Sequence, residues 1–168
     1  MSTTLKPQYA ASASITISPA SLATSSTRTA GVESDVISNA SNLYVDALVA
    51  GKITTGTSPT VNKQIDIWVY AQLDDTPSYP DVIDGTASAE TITSENVRNS
   101  AMRLAASITV DATSDRPYYV APFSVAALFG GVLPQRWGLF IAHDTAVNLN
   151  STSGNHAFSY QGVNYQSV

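Results

Sequence analysis

A run of ten residues, QIDIWVYAQL at residues 64–73, constrains the fold of this chain more than any other segment. Apolar side chains occupy every second position, and polar or aromatic side chains occupy the positions between them. The first set is Ile65, Ile67, Val69, Ala71 and Leu73, and the second is Asp66, Trp68, Tyr70 and Gln72. Because successive side chains of a strand point to opposite faces of a sheet, this pattern predicts a β-strand that is half buried.

Related patterns predict further strands at residues 14–18, 43–53, 103–110, 136–142 and 157–163. Both faces of residues 136–142 are apolar, so we expect this strand to be central and covered on both sides. We also expect residues 43–53 to form a hairpin with the strand at 64–73, through the turn-rich sequence TTGTSPTVNK. The total of seven to nine strands predicts an all-β fold, an antiparallel β-sandwich of jelly-roll type.

The rest of the chain gives weaker signals. Residues 20–42 fit coil and edge strands equally well, and residues 97–106 offer a short helix as the alternative to the strand favoured at 103–110. One short helix is predicted at residues 124–129, where Ser124 can cap the first turn and two glycines follow. We expect residues 1–13 to be an N-terminal arm, residues 14–168 to be a single β-sandwich domain, and residues 74–95 to be a surface excursion.

Composition narrows the function classes. The 168 residues are 43% hydrophobic but 12% charged, about half the usual charged share, which favours a surface that ends against a partner. A net charge of −5 with eight basic residues argues against nucleic-acid binding. The sequence has no cysteine, no run of apolar residues long enough for a membrane span, and no signal-peptide core near its start, so we expect synthesis and assembly in the cytoplasm.

Two groups of residues are of types that could bind a cation or take part in catalysis, but their spacing in the sequence fits neither function. Asp74, Asp75, Asp81 and Asp84 could offer oxygens to a cation, but prolines interrupt them and the spacing is not that of a calcium loop, so we expect a solvated acidic loop. His143 and Asp144 are adjacent, and adjacent residues of a strand point apart. No nucleophile or metal motif accompanies them or His156, so we expect no catalysis, no metal and no cofactor.

Several aromatic side chains could bind a partner. Trp68 shares its face with Asp66, Tyr70 and Gln72, a mixture of groups that can stack on sugars and hydrogen-bond to them. The other candidates are Tyr9, Tyr79, Tyr118, Tyr119 and Tyr165. Trp and Tyr are also enriched where subunits meet. We therefore expect this face to be covered by the arm or by a second subunit, and we keep glycan binding as the alternative.

The ordered segments YVDALVAGKI, IDIWVYAQLDD, PFSVAALFGGVLPQRWGLFIAH and GNHAFSYQGV resemble small virion proteins of tailed bacteriophages. The resemblance covers residues 43–165 and includes no catalytic motif. It implies a non-enzymatic structural role on the particle, with the major capsid protein or other virion proteins as partners. The expected role is a capsid decoration or cement protein that forms a homo-oligomer, a trimer around local threefold positions. A tail or collar component is the alternative.

Contact surfaces leave little trace in one sequence, so the partner-binding residues are chosen for reach and exposure. They come from the arm, from the acidic loop and from the aromatic face: Lys6, Pro7, Gln8, Tyr9, Trp68, Tyr79, Asp81 and Asp84.

Overall fold

The computed structural model describes residues 4–76 and 78–167, and within them two antiparallel sheets pack face to face. Two short helices, α1 (Glu95–Ala101) and α2 (Val125–Leu128), and one 3-10 turn (Ser153–Asn155) interrupt the strands. The strands are β1 (Leu5–Tyr9), β2 (Ala13–Ser14), β3 (Ala30–Glu33), β4 (Ile37–Ser38), β5 (Asp46–Thr54), β6 (Gln64–Ala71), β7 (Ala89–Thr91), β8 (Arg103–Thr109), β9 (Pro117–Ser124), β10 (Arg136–His143) and β11 (Ala157–Ser167).

The strand order is that of a jelly roll. In the first sheet, β11 lies between β5 and the pair β1 and β2, and β9 forms the other edge. In the second sheet the order is β7-β3-β10-β6-β8, with β4 also paired to β10. Along the chain the principal strands alternate between the sheets, except that β6 and β8 are neighbours in one sheet. The predicted all-β antiparallel sandwich of jelly-roll type is therefore confirmed, with two short helices instead of one.

The predicted hairpin between β5 and β6 is wrong. Strand β5 pairs with β11 and β9 in the first sheet, whereas β6 pairs with β10 and β8 in the second. Residues 55–63 cross from one sheet to the other, so Ile53 and Ile65 enter the same core from opposite sides. Both edges of β5 are already occupied, which leaves no edge on which β6 could pair.

The two central strands of the second sheet are buried on both faces. This confirms the expectation for β10, whose residues beyond Arg136 are all buried. It corrects the expectation for β6, which is buried on both sides over Ile65–Tyr70 instead of half buried. One face contributes Ile65, Ile67 and Val69 to the core between the sheets, and the other contributes Trp68 and Tyr70 to a second cluster on the outer side of this sheet.

The weaker local predictions are resolved element by element. The strand favoured at residues 103–110 is confirmed as β8, but helix α1 precedes it, with Ser94 Oγ accepting from the Val97 N–H. The strand expected at residues 14–18 shrinks to β2. Residues 20–42 contain the short strands β3 and β4 between irregular segments. Helix α2 is confirmed, with Ser124 Oγ accepting from the Ala127 N–H.

Candidate partner-binding surface

The N-terminal segment is a strand at the edge of the first sheet. Strand β1 pairs with the second half of β11, from Leu5 opposite Ser167 to Tyr9 opposite Val163. Strand β5 ends its pairing with β11 at the same Val163, opposite Asp46. Beyond Val163, β11 therefore pairs with β1 and no longer with β5. We call these two paired segments, residues 5–9 and 163–167, the ribbon. Of the expected arm, residues 1–3 lie outside the described residues.

The ribbon has one apolar and one polar face. Residues directly opposite one another in an antiparallel pair project to the same side. The apolar face therefore carries Leu5, Pro7, Tyr9, Val163 and Tyr165, and the polar face carries Lys6, Gln8, Asn164 and Gln166. The side chains of Leu5, Tyr9 and Tyr165 are 66%, 56% and 63% exposed. Such exposure of large apolar side chains side by side is typical of a contact surface.

The open edge of the ribbon is poorly suited to pairing with another strand. The Ala10 N–H donates to the Gly162 carbonyl at 2.8 Å, so the alternation of an antiparallel ladder points the backbone nitrogens of Lys6 and Gln8 toward β11. The nitrogen of Pro7 then faces the open edge, where it has no hydrogen to donate. A partner is thus better accommodated on the apolar face than along the edge.

Charge is distributed unevenly between the two sheets. Of the eight basic and thirteen acidic residues of the chain, the described strands of the first sheet hold Lys6, Asp46 and Lys52. The Asp46 carboxylate is engaged, since its Oδ1 accepts from the backbone N–H groups of Ala47 at 2.7 Å and Ala126 at 2.9 Å. The other twelve acidic residues lie in the second sheet, in its covering segments or in loops. One side of the sandwich is therefore nearly uncharged and the other is acidic.

The outer face of the first sheet continues the apolar face of the ribbon. Phe158 and Tyr160 of β11 point into the core, so the residues between them point outward. Ser159 lies opposite Ala50, Gln161 opposite Leu48 and Ala157 opposite Lys52, so this face carries small and partly apolar side chains with one lysine. At its far edge, on β9, the side chain of Tyr119 is 74% exposed.

The acidic excursion lies on the opposite side of the sandwich, over the outer face of the second sheet. The ring of Tyr79 packs edge-on against Tyr70, with ring centroids 5.7 Å apart. Asp81 accepts from the Thr93 N–H at 2.7 Å and from its hydroxyl at 2.8 Å, and Asp84 accepts from the Thr86 N–H at 2.8 Å. These carboxylates hold the loop together, and no group of His, Asp or Glu suited to a metal ion occurs in the part of the chain that the structure describes.

A buried carboxylate that the sequence did not reveal anchors this loop. Glu33 lies fully buried on β3, and its two carboxylate oxygens accept from the backbone N–H groups of Asp84 and Gly85, each at 3.2 Å. Burial raises the pKa of Glu33, and the two backbone hydrogen bonds lower it in part. Burial likewise raises the pKa of Tyr70, whose hydroxyl donates to the Ser34 carbonyl at 2.9 Å.

Trp68 is covered by its own chain, which corrects the expectation that the arm or a second subunit covers this face. The residue is 7% exposed, and the guanidinium of Arg98 on α1 lies 4.7 Å from the centre of its ring. Arg98 also donates to the carbonyls of Thr27 at 2.8 Å and Arg28 at 2.6 Å. Helix α1 is thereby fixed over Trp68, and the indole has no exposed face on which a sugar or a partner could stack.

His143 and Asp144 point apart, as expected for neighbours at the end of a strand. His143 is buried, and its Nε2 donates to the Leu22 carbonyl at 3.0 Å. The Asp144 side chain, 12% exposed, forms ion pairs with Arg28 at 3.1 Å and Lys63 at 3.7 Å and accepts from the Gln64 N–H at 2.6 Å. Burial lowers the pKa of His143, so the imidazole is neutral at pH 7.

The eight predicted partner-binding residues thus fall in three places. The first sheet carries Lys6, Pro7, Gln8 and Tyr9, the opposite side of the molecule carries Tyr79, Asp81 and Asp84, and Trp68 lies beneath α1. They do not form one site. Tyr165 completes the apolar face of the ribbon, although the sequence suggested it merely as one aromatic among several.

No helix among residues 4–76 and 78–167 has the length and apolar character needed to cross a membrane. Comparison of the chain with protein-family models, with curated proteins and with solved structures found no match.

Proposed function

We propose that this chain is a non-enzymatic structural protein of a tailed-phage virion, and that it decorates the head by docking its ribbon and the outer face of its first sheet on the capsid lattice. The observation that carries the proposal is the unequal distribution of charged residues between the two sides of the sandwich. The nearly uncharged side is suited to burial, and the acidic side is suited to water.

Desolvation decides which side docks. Burying a charged side chain without a partner is costly, whereas hydroxyl, amide and aliphatic groups transfer at much lower cost. The ribbon presents Leu5, Tyr9 and Tyr165. The one strand carboxylate next to it, Asp46 opposite Val163, is already engaged by the backbone N–H groups of Ala47 and Ala126. Docking through the opposite side would instead bury the exposed carboxylates of Asp74, Asp81 and Asp84. The acidic side then faces solvent, where its repulsion keeps decorated particles apart.

The ribbon alone supports a modest affinity per copy. Full burial of one large apolar side chain contributes about 1.5–3 kcal/mol, so three side chains that are already partly covered contribute roughly 3–5 kcal/mol in all. The loss of freedom on association offsets most of this gain, so the ribbon alone gives at most weak binding of a single chain. An oligomer that binds several lattice positions at once has a much higher overall affinity than a single copy, which favours the trimeric arrangement.

The fold supports the proposal in a general way. Jelly rolls are common among viral capsid domains and also among lectins and cupins, so the architecture permits the role without requiring it. The burial of Trp68 removes the side chain that most favoured glycan binding. A tail or collar component would use the same surface in a closed ring, and particle binding separates this role from head decoration.

The test is sedimentation of the purified protein with phage heads that lack decoration, together with its mass from light scattering. We expect saturable co-sedimentation at a fixed ratio to lattice positions. Tyr165→Ser should weaken binding by about tenfold per copy, because burial of the Tyr165 ring contributes about 1.4 kcal/mol, its share of the estimate above. Leu73→Ser is the control, since Leu73 is 66% exposed but lies beside Asp74 at the start of the acidic excursion, and it should bind as the wild type does.

Two results would oppose the proposal. Absence of saturable binding to heads would reject decoration, and closed rings that ignore heads would favour the tail or collar role. Equal losses for Tyr165→Ser and Leu73→Ser would show that the ribbon is not the contact.

A further inference from the structure

The two histidines lie at the end of the sandwich away from the ribbon. His143 is the last residue of β10, and His156 directly precedes β11. Both side chains are buried. Around them run two irregular segments, residues 18–24 and residues 144–156, which have neither strand pairing nor a large apolar core of their own.

His143 links the two segments directly. Its Nε2 lies 3.0 Å from the Leu22 carbonyl oxygen, which can only accept, so Nε2 carries the proton and donates. The same oxygen accepts from the Leu149 N–H at 3.0 Å. The other ring nitrogen, Nδ1, lies 2.9 Å from the Thr145 hydroxyl and accepts from the Thr145 N–H at 3.4 Å. The ring is thus a neutral donor and acceptor.

His156 repeats this arrangement. Its Nε2 donates to the Asn150 carbonyl at 2.9 Å, and that carbonyl also accepts from the Ser21 N–H at 3.1 Å. Its Nδ1 accepts from the Thr54 N–H at 3.4 Å. Each imidazole therefore donates to a carbonyl that also receives a backbone hydrogen bond from the other segment.

The charged groups nearby do not reverse this preference for neutral rings. Asp144 adjoins His143 and favours its charged form, but Arg28 and Lys63 already pair with it. Lys52 donates to the Gly154 carbonyl at 3.3 Å and disfavours a charge on His156. Asp115 is occupied by the side-chain amide of Asn150 at 2.7 Å. Burial dominates at both histidines and lowers the pKa of each.

We propose that His143 and His156 form an acid-sensitive latch, in which protonation of both rings releases residues 18–24 from residues 144–156 while the two sheets stay folded. A second ring proton would end the hydrogen bond that Nδ1 of His156 accepts from the Thr54 N–H. At His143 the new Nδ1–H can donate to the Thr145 hydroxyl, which lies 2.9 Å away and itself donates to the Val147 carbonyl, so the cost there is a charge in a site closed to water. A charged ring gains hydration when the segments that cover it separate.

Residues 18–24 also form one wall of a groove of about 500 Å³ whose other wall is β3 and β7, so release would remove that wall. Apolar side chains line it, among them Leu22, Val32 and Ala89. The groove lies away from the ribbon, so the latch acts independently of the proposed docking surface.

Linkage sets the size of the effect. An opened histidine has an ordinary pKa of about 6.5, so at pH 5.5 its protonation favours the open state about tenfold relative to pH 7.5 if the closed ring stays neutral. Two histidines together give about a hundredfold. Protection of the linking amides from hydrogen exchange reports the opening directly.

The experiment is residue-resolved hydrogen exchange on the whole protein at pH 7.5 and 5.5, with rates corrected for the pH dependence of the chemistry. Protection at Ser21 and Leu149 should fall about a hundredfold in the wild type and about tenfold in His143→Gln or His156→Gln, because each Gln can still donate but cannot titrate. Protection at Ile67 and Leu139 should not change. The latch is refuted if Ser21 and Leu149 keep their protection at pH 5.5, or if both single variants lose as much protection as the wild type.

Discussion

Replacement of Arg98 tests how firmly helix α1 covers the second sheet. Arg98→Ala removes two hydrogen bonds to the carbonyls of Thr27 and Arg28 and the cation–π contact with Trp68. Hydrogen bonds from a charged donor contribute about 1.5 kcal/mol or more each, and a desolvated cation–π contact adds up to about 2 kcal/mol. Burial of the cation, which lowers the pKa of Arg98, offsets part of this gain.

We therefore expect Arg98→Ala to lower the free energy of unfolding by about 3 kcal/mol and the melting temperature by roughly 6–12 °C for a chain of this size. Urea denaturation followed by tryptophan fluorescence measures the change. Arg103→Ala is the matched control, because Arg103 is exposed and bonds to neighbouring carbonyls of its own turn, so the loss should stay within about 0.5 kcal/mol. Equal stability of Arg98→Ala and Arg103→Ala would show that the contacts of Arg98 do not hold α1 on the second sheet.

Two further predictions concern the second sheet. A Cβ at Gly138 would lie 2.3 Å from ring atoms of the buried Tyr70, so Gly138→Ala should destabilise the protein by about 1–3 kcal/mol in chemical denaturation, and an unchanged midpoint would contradict the packing described. Because burial raises the pKa of Glu33, its contribution is most favourable below the unfolded pKa and declines as pH rises through the folded pKa. The stability of Glu33→Gln relative to the wild type should therefore increase between pH 4 and pH 7, and a constant difference in thermal unfolding would contradict this.

The sequence was most informative where the alternation of side chains is strong. Strands β6, β8 and β10 and helix α2 were all predicted from local patterns, and with them the all-β sandwich of jelly-roll type. Pairing was harder to predict. Strands β5 and β6 each present apolar residues to the same core, and the pattern is identical whether they lie in one sheet or face one another from two.

The exposure of individual residues was hard to predict, because it depends on segments that are distant in the sequence. The face of β6 with Trp68 looked open because its cover, helix α1, is short and has weak apolar periodicity. The apolar face of the ribbon was not evident, although Leu5, Pro7 and Tyr9 alternate with polar residues, because its second half lies more than 150 positions along the chain. The burial of Glu33 could not be predicted from the sequence, since burial of a single carboxylate depends on the loop that folds over it.

Hydrogen exchange on particle-bound protein shows directly which side of the sandwich docks. Free protein and protein saturating undecorated phage heads would be compared segment by segment. We expect slower exchange on heads in residues 5–9 and 163–167, with residues 79–93 unchanged. Slower exchange in residues 79–93, with residues 5–9 and 163–167 unchanged, would show that the acidic side docks and that the ribbon does not.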